Sequence, residues 1–308
     1  MIRIQKDNLE ELANKHYEAI AEYIKKTKSS KYTIELLDSQ VKLCFNDNWD
    51  FKKLILAKPN ELEYLSKIYK SKCCNGFKFF QTLYGYFNKK DKFKYENEYY
   101  NAFELVKSLN ISTCPYCNRN GIYNIKNSKK RTSELDHFYA QSKYPFFAMS
   151  FYNLIPSCKV CNQLKSDEDK QYINPYDDRF DFNKNAKFTF KINDASFIYS
   201  QKGFDLKYKF TKDVSYEEKK RIVNNRKVFE LKDLYSNHKD IALELIQKAQ
   251  IYNKSYVDEL SQKYEGTLFK NREDILRHIT GGYVEDKDIN KRPLSKLIKD
   301  ISEELDLI

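Results

Sequence analysis

The chain has 308 residues, enough to bury a sizeable core as one large domain or two modest ones. Its 32% charged and 41% hydrophobic residues, with 25 Tyr and 21 Phe, exclude a disordered chain, and no apolar run approaches a membrane span. The net charge of +11 favours a polyanionic partner, with a solvated lysine-rich surface as the plain alternative.

The opening Met1-Ile-Arg-Ile-Gln-Lys-Asp-Asn holds no apolar stretch of the signal-peptide kind, so a cytoplasmic protein is expected. Residues 1–110 read as mostly helical, a scaffold or a docking surface for a partner. Leu9, Leu12, Ala13, Tyr17, Ile20 and Ile24 recur at helical steps, as do Ile34, Leu37, Val41 and Phe45. Lys58-Pro59-Asn60 breaks the pattern, and Leu62, Leu65 and Tyr69 resume it.

Between Leu105 and Ser133 the chain carries six basic residues and no acid: Lys107, Arg119, Lys126, Lys129, Lys130 and Arg131. Seven cysteines in a reducing compartment do not read as a disulfide framework. Cys44, Cys73 and Cys74 have no His or Cys at ligand spacing and are expected to be structural thiols. The other four form two knuckles, Cys114-Pro-Tyr-Cys117 and Cys158-Lys-Val-Cys161, separated by 40 residues. Each knuckle presents two thiolates at one side of a tetrahedron, so together they predict a closed, structural zinc site. The long gap means that something is inserted between the knuckles.

That insertion carries Ser133-Glu134-Leu135-Asp136-His137-Phe138 and Tyr152-Asn153-Leu154-Ile155-Pro156, and Asn162-Gln163-Leu164-Lys165 follows directly on the second knuckle. The set resembles the HNH (ββα-metal) nuclease family. The resemblance implies that Asp136 is a metal-binding acid, His137 the general base, Asn153 the middle asparagine and Asn162 the final metal ligand. Lys165 follows Asn162 at the spacing common in asparagine-ending members. A Mg²⁺ or Mn²⁺ ion on Asp136 and Asn162 suits this chemistry, because a hard cation takes oxygen ligands and keeps most of its waters. His137, neutral near pH 7, would take the proton of the attacking water, and Asn153 would orient its ring. Neighbours on a regular strand face opposite sides, so Asp136 and His137 converge only where the strand ends or bulges. Glu134 shares a strand face with Asp136 and stands behind it as a candidate. His16, His238 and His278 lack matching partners and are assigned to structure. Lys126, Lys129, Lys130, Arg131 and Lys165 are the candidates for contacting the phosphate backbone of DNA.

Further on, Phe188, Phe190 and Ile192 alternate, then Phe204, Leu206, Tyr208 and Phe210, which predicts a β-hairpin or small sheet. Helices are expected again from about Ser215, with Ile241, Leu245 and Tyr252 on one face. Gly281-Gly282 punctuates the chain before a last helix starting near Pro293. No phosphate-binding loop of the G-x-x-x-x-G-K-[ST] type is present, so ATP binding by this chain is not expected.

The expectation is an α+β fold: a mainly helical chain with a central zinc-clamped ββα-metal module and a small antiparallel hairpin after it. Its parts are a helical region over 1–110, the nuclease module over 111–178, and the hairpin with a helical region over 179–308. The runs around Asp136, Tyr144-Pro145, Asn153, Cys161-Asn162 and Asn174-Pro175-Tyr176, with the tail Lys291-Arg292-Pro293-Leu294, are similar to the HNH subunit of Septu-type and retron-associated anti-phage systems. That resemblance implies an ATPase partner subunit and a role in phage defence. The alternatives are an RNA-cleaving toxin using the same site, and a non-catalytic zinc protein that binds nucleic acid.

Overall fold

A computed structural model of the chain describes residues 1–27, 32–72, 78–89, 92–168 and 170–308. Cys73 and Cys74 lie outside the described residues. The fold is α+β: helices predominate, and every sheet among the described residues is a two-stranded antiparallel pair. No described helix is long and apolar enough to cross a membrane. The chain divides into two compact units, one of residues 4–111 and 122–169, the other of residues 1–3, 112–121 and 170–308.

In the first unit the periodic apolar positions become buried helix faces. Ala13, Ile20 and Ile24 are buried on Leu9–Lys26, Leu37 and Val41 on Ile34–Cys44, and Leu62 and Leu65 on Pro59–Lys72. The break at Lys58-Pro59 is a helix start, where proline's missing N–H forfeits no bond. Strand Glu134–His137 pairs antiparallel with Leu154–Ser157, Asp136 opposite Ile155 and His137 opposite Leu154, and helix Lys159–Lys165 follows. The loop between these strands folds into two 3-10 turns, Pro145–Met149 and Phe151–Asn153, whose residues are all buried.

The helices grip that loop. Phe45 lies parallel to Phe147 at 6.0 Å between ring centres, and Phe80 meets Phe146 at 5.3 Å. Ser150 Oγ donates to the Leu54 carbonyl at 2.7 Å. His16 is fully enclosed, with Nε2 2.9 Å from the Met149 carbonyl and Nδ1 3.2 Å from the Tyr100 hydroxyl. A carbonyl only accepts, so Nε2 carries the proton and Nδ1 accepts from Tyr100. Burial pushes the His16 pKa down to about 4, and the ring is neutral.

In the second unit the alternating apolar run forms the expected hairpin: Ala186–Ile192 pairs with Phe204–Phe210, Phe188 opposite Tyr208 and Phe190 opposite Leu206. Lys207 and Lys209 point outward between the apolar positions. The connection is a compact loop in which Gly203 lies against the backbone of Phe197; a Cβ there would come within 2.3 Å of Phe197 N. Helix Tyr216–Val228 begins where Ser215 caps it, its Oγ accepting from Glu218 N at 3.2 Å. On Lys239–Ile251 the buried face is Ala242, Leu245 and Ile246; Ile241 is half-buried and Tyr252 is the cap. Helix Arg272–Thr280 ends on Gly281 in the left-handed conformation, φ +83°.

The last helix is Ser295–Glu304, and Pro293 is not in its first turn. Leu294 takes a left-handed φ of 65°, which separates the proline from the helix, and its N–H donates to the Asn118 carbonyl at 2.6 Å. Lys296 and Asp300 on this helix form an enclosed ion pair, and Asp300 Oδ2 also accepts from Phe188 N at 2.8 Å. That bond fastens the helix to the hairpin.

Candidate active site and metal centre

The first knuckle turns tightly: Asn118 N donates to the Cys114 carbonyl at 2.7 Å, and Arg119 N points at Cys117 Sγ at 3.3 Å. Asn118 supports the turn in a left-handed conformation, φ 50°. Its side-chain amide donates to Thr113 Oγ1 and to the Ile289 carbonyl, both at 3.1 Å. In the second knuckle Cys158 is the N-cap of helix Lys159–Lys165, its Sγ 3.5 Å from Cys161 N. The ligand atoms of Cys114, Cys117, Cys158 and Cys161 all lie within 4.8 Å of one another, and all four residues are buried. Thiolates on one zinc, with bonds of about 2.3 Å, hold their sulfurs roughly 3.8 Å apart. The donor set and its size therefore fit a tetrahedral zinc ion.

A cleft of about 700 Å³ opens beside the strand pair, lined among others by Tyr84, Glu134, Asp136, His137, Asn162 and Asp167. Strand Glu134–His137 ends at His137, so the alternation of faces lapses there and both Asp136 and His137 reach the cleft. His137 Nε2 lies 3.0 Å from the Ala148 carbonyl, which only accepts, so the ring proton sits on Nε2 and the lone pair on Nδ1. Burial holds the His137 pKa down at about 4, against the opposing pull of Asp136. Tyr84 fixes the ring from the other side: its own ring is edge-on to the imidazole at 4.3 Å, and its hydroxyl donates to the Leu135 carbonyl at 3.0 Å.

The remaining candidates separate. Asn162 lines the cleft from within helix Lys159–Lys165; the N-cap role belongs to Cys158. Asn153 does not line the cleft. It is fully buried, accepting from Tyr139 N at 2.7 Å and donating to the carbonyls of Tyr139 at 3.2 Å and Phe147 at 2.9 Å. Rather than bonding the imidazole, it braces both ends of the loop whose Ala148 carbonyl does so. Lys165, expected to contact the phosphate backbone, is instead enclosed: its side chain is 0% exposed, with Nζ 3.0 Å from Asp136 Oδ1 and 2.6 Å from the His137 carbonyl.

Lys126, Lys129 and Lys130 are exposed on a small hairpin, Asn124–Ile125 paired with Lys130–Arg131. Arg131 instead turns its guanidinium to the Ser133 carbonyl at 2.9 Å and Asn88 Oδ1 at 3.0 Å. Sequence reasoning missed Tyr84, which lies about fifty residues before His137 and carries no local signal.

No protein-family model matches the chain, and no solved structure matches it. The chain is similar to Protein ea31 of Escherichia phage lambda, 35% identical over 98 residues. That stretch is 30% of this chain and 29% of that protein, so the likeness covers less than a third of either.

Proposed function

We propose that this chain is a metal-dependent endonuclease of the HNH type that hydrolyses DNA phosphodiester bonds. The observation that carries the reading is the pairing of Asp136 with His137 at a strand end on one cleft, the imidazole neutral with its lone pair on Nδ1. At Nδ1 His137 accepts the proton of an attacking water, while the Ala148 carbonyl and Tyr84 keep the ring from turning. Asp136 and Asn162 offer a carboxylate and an amide oxygen, the donors a hard divalent cation prefers, and they would hold Mg²⁺ or Mn²⁺. Bound there, the ion would offset charge on the phosphate and the departing oxygen. Asp136 already takes the Lys165 ammonium, so its place in the fold suits it to receive a cation. The zinc cluster, by fixing Cys158 and Cys161, sets the helix that carries Asn162.

The test is incubation of the purified protein with plasmid, single-stranded DNA and total RNA, with and without Mg²⁺ or Mn²⁺. Plasmid cleavage that needs the added ion is expected. Cleavage of RNA alone would make the chain a ribonuclease, and binding without cleavage would leave a zinc-dependent nucleic-acid-binding protein.

The resemblance to Septu-type subunits supports a more specific reading, that the chain is the cytoplasmic nuclease effector of an anti-phage complex with a separate ATPase subunit. Co-expression with the neighbouring gene product, pull-down and phage challenge test it. Protection by the chain unaided, with no ATPase bound, would overturn the partner while leaving the nuclease.

A further inference from the structure

Lys165 closes helix Lys159–Lys165 one turn beyond Asn162, so the two share a side of that helix. Its ammonium is wholly enclosed and donates to Asp136 Oδ1 and to the His137 carbonyl, the two residues at the end of the strand. Enclosing an ammonium is unfavourable unless its charge is matched and its protons are placed. A residue that merely filled space here would be apolar, and one that met DNA directly would be exposed. Lys165 is neither, since its charge is directed at the carboxylate assigned above to the divalent ion.

We propose that Lys165 is a resident cation that competes with the divalent ion for Asp136, and so makes metal binding depend on the arrival of a polyanionic substrate. The inference rests on the reading of Asp136 and Asn162 as ligands. In the substrate-free protein the Asp136–Lys165 pair carries no net charge and Asn162 adds none. Of the other acids on the cleft, Asp167 faces Lys143 at 3.8 Å and Glu134 is exposed. A divalent ion entering alone meets a carboxylate shared with an ammonium and is repelled by that ammonium. A phosphodiester entering with it supplies the missing negative charge. Metal and substrate then bind cooperatively, each raising the affinity of the other by the same factor.

The experiment is Mn²⁺ binding to the zinc-loaded full-length chain, followed by the electron paramagnetic resonance of free Mn²⁺, so that no turnover is needed. Wild type is expected to bind Mn²⁺ weakly, and a non-cleavable phosphorothioate oligonucleotide to tighten that binding by about tenfold or more. Lys165→Met, checked for zinc content and folding, is expected to bind Mn²⁺ about tenfold more tightly without DNA and to lose most of the coupling. Equal or weaker Mn²⁺ binding by folded Lys165→Met, or no tightening by the oligonucleotide in wild type, overturns the proposal. If Lys165→Met does not fold, the wild-type coupling decides alone. The cleavage assay fails independently: no cleavage with the affinity shifts intact would overturn the nuclease and leave Lys165 in this role, and cleavage without the shifts would do the reverse.

Discussion

At the scale of single residues, the two buried histidines illustrate one rule with different consequences. Each donates Nε2–H to a backbone carbonyl and is kept neutral by burial, but only His137 lies on a cleft. Removing the base should therefore cost rate above all. His137→Ala is expected to lose about 100-fold or more in cleavage rate while retaining its fold and zinc content; near-wild-type rates at saturating Mg²⁺ would remove His137 from the mechanism. His16 should act through stability. Its pKa falls from 6.5 to about 4 on folding, so between those values the unfolded chain binds the proton and the folded one does not. Stability is then whole above pH 6.5, declines as the pH falls toward 4, and levels off below; the full loss is about 3 kcal/mol. His137 shifts in the same direction, so the measurement is the difference in melting profile between wild type and His16→Gln. The variant should be less stable at pH 7 and lose less on acidification. Parallel profiles would mean that His16 does not carry the pH dependence.

At the scale of elements, what could be read in advance was whatever a local pattern encodes. The alternation of Phe188, Phe190, Leu206 and Tyr208 marks a hairpin, though not its register, and the spacing of the cysteines marks that they gather. The strand end at His137 followed from the need of two neighbours to share a cleft. Nothing local distinguishes Lys165 as enclosed, places Tyr84 on the imidazole, or gives Leu294 a left-handed backbone; each depends on partners far away in the chain. Asn153 is the instructive intermediate, conspicuous in sequence yet bound to backbone rather than to the imidazole. Truncating it strands the backbone of Tyr139 and Phe147 within a sixteen-residue loop, at roughly 1–3 kcal/mol for each buried group left unsatisfied. Asn153→Ala is therefore expected to lower the melting temperature along with the rate, and by more than His137→Ala, which loses one such bond. A folded Asn153→Ala of unchanged stability that has lost only its rate would give the asparagine a direct chemical role instead.

At the scale of the whole molecule, two features extend beyond any one element: the zinc cluster and the charge. The four cysteines come from two segments far apart in sequence, so a metal held on them would contribute its binding energy to folding. One zinc per chain is expected by elemental analysis, and Cys161→Ser should lower the melting temperature by on the order of 10 °C, from the loss of a few kcal/mol. A Cys161→Ser chain that melts like wild type without zinc would dissolve the cluster's structural role. The net charge of +11 is too diffuse to identify a path for DNA, but the exposed hairpin is not. Lys126, Lys129 and Lys130 stand on it in solvent, whereas Arg131 is committed to Ser133 and Asn88 and Lys165 is enclosed. Each cation that meets a phosphate releases counterions and contributes about 0.9 to the slope of log affinity against log salt. Replacing the three lysines together by Gln should lower that slope by about 2–3 and weaken binding equally on unrelated sequences, with folding unchanged. Arg131→Gln should behave oppositely, costing stability and leaving the slope nearly as it was. If the triple variant keeps the wild-type slope, the phosphate backbone runs elsewhere on the surface and the hairpin lysines are only solvated.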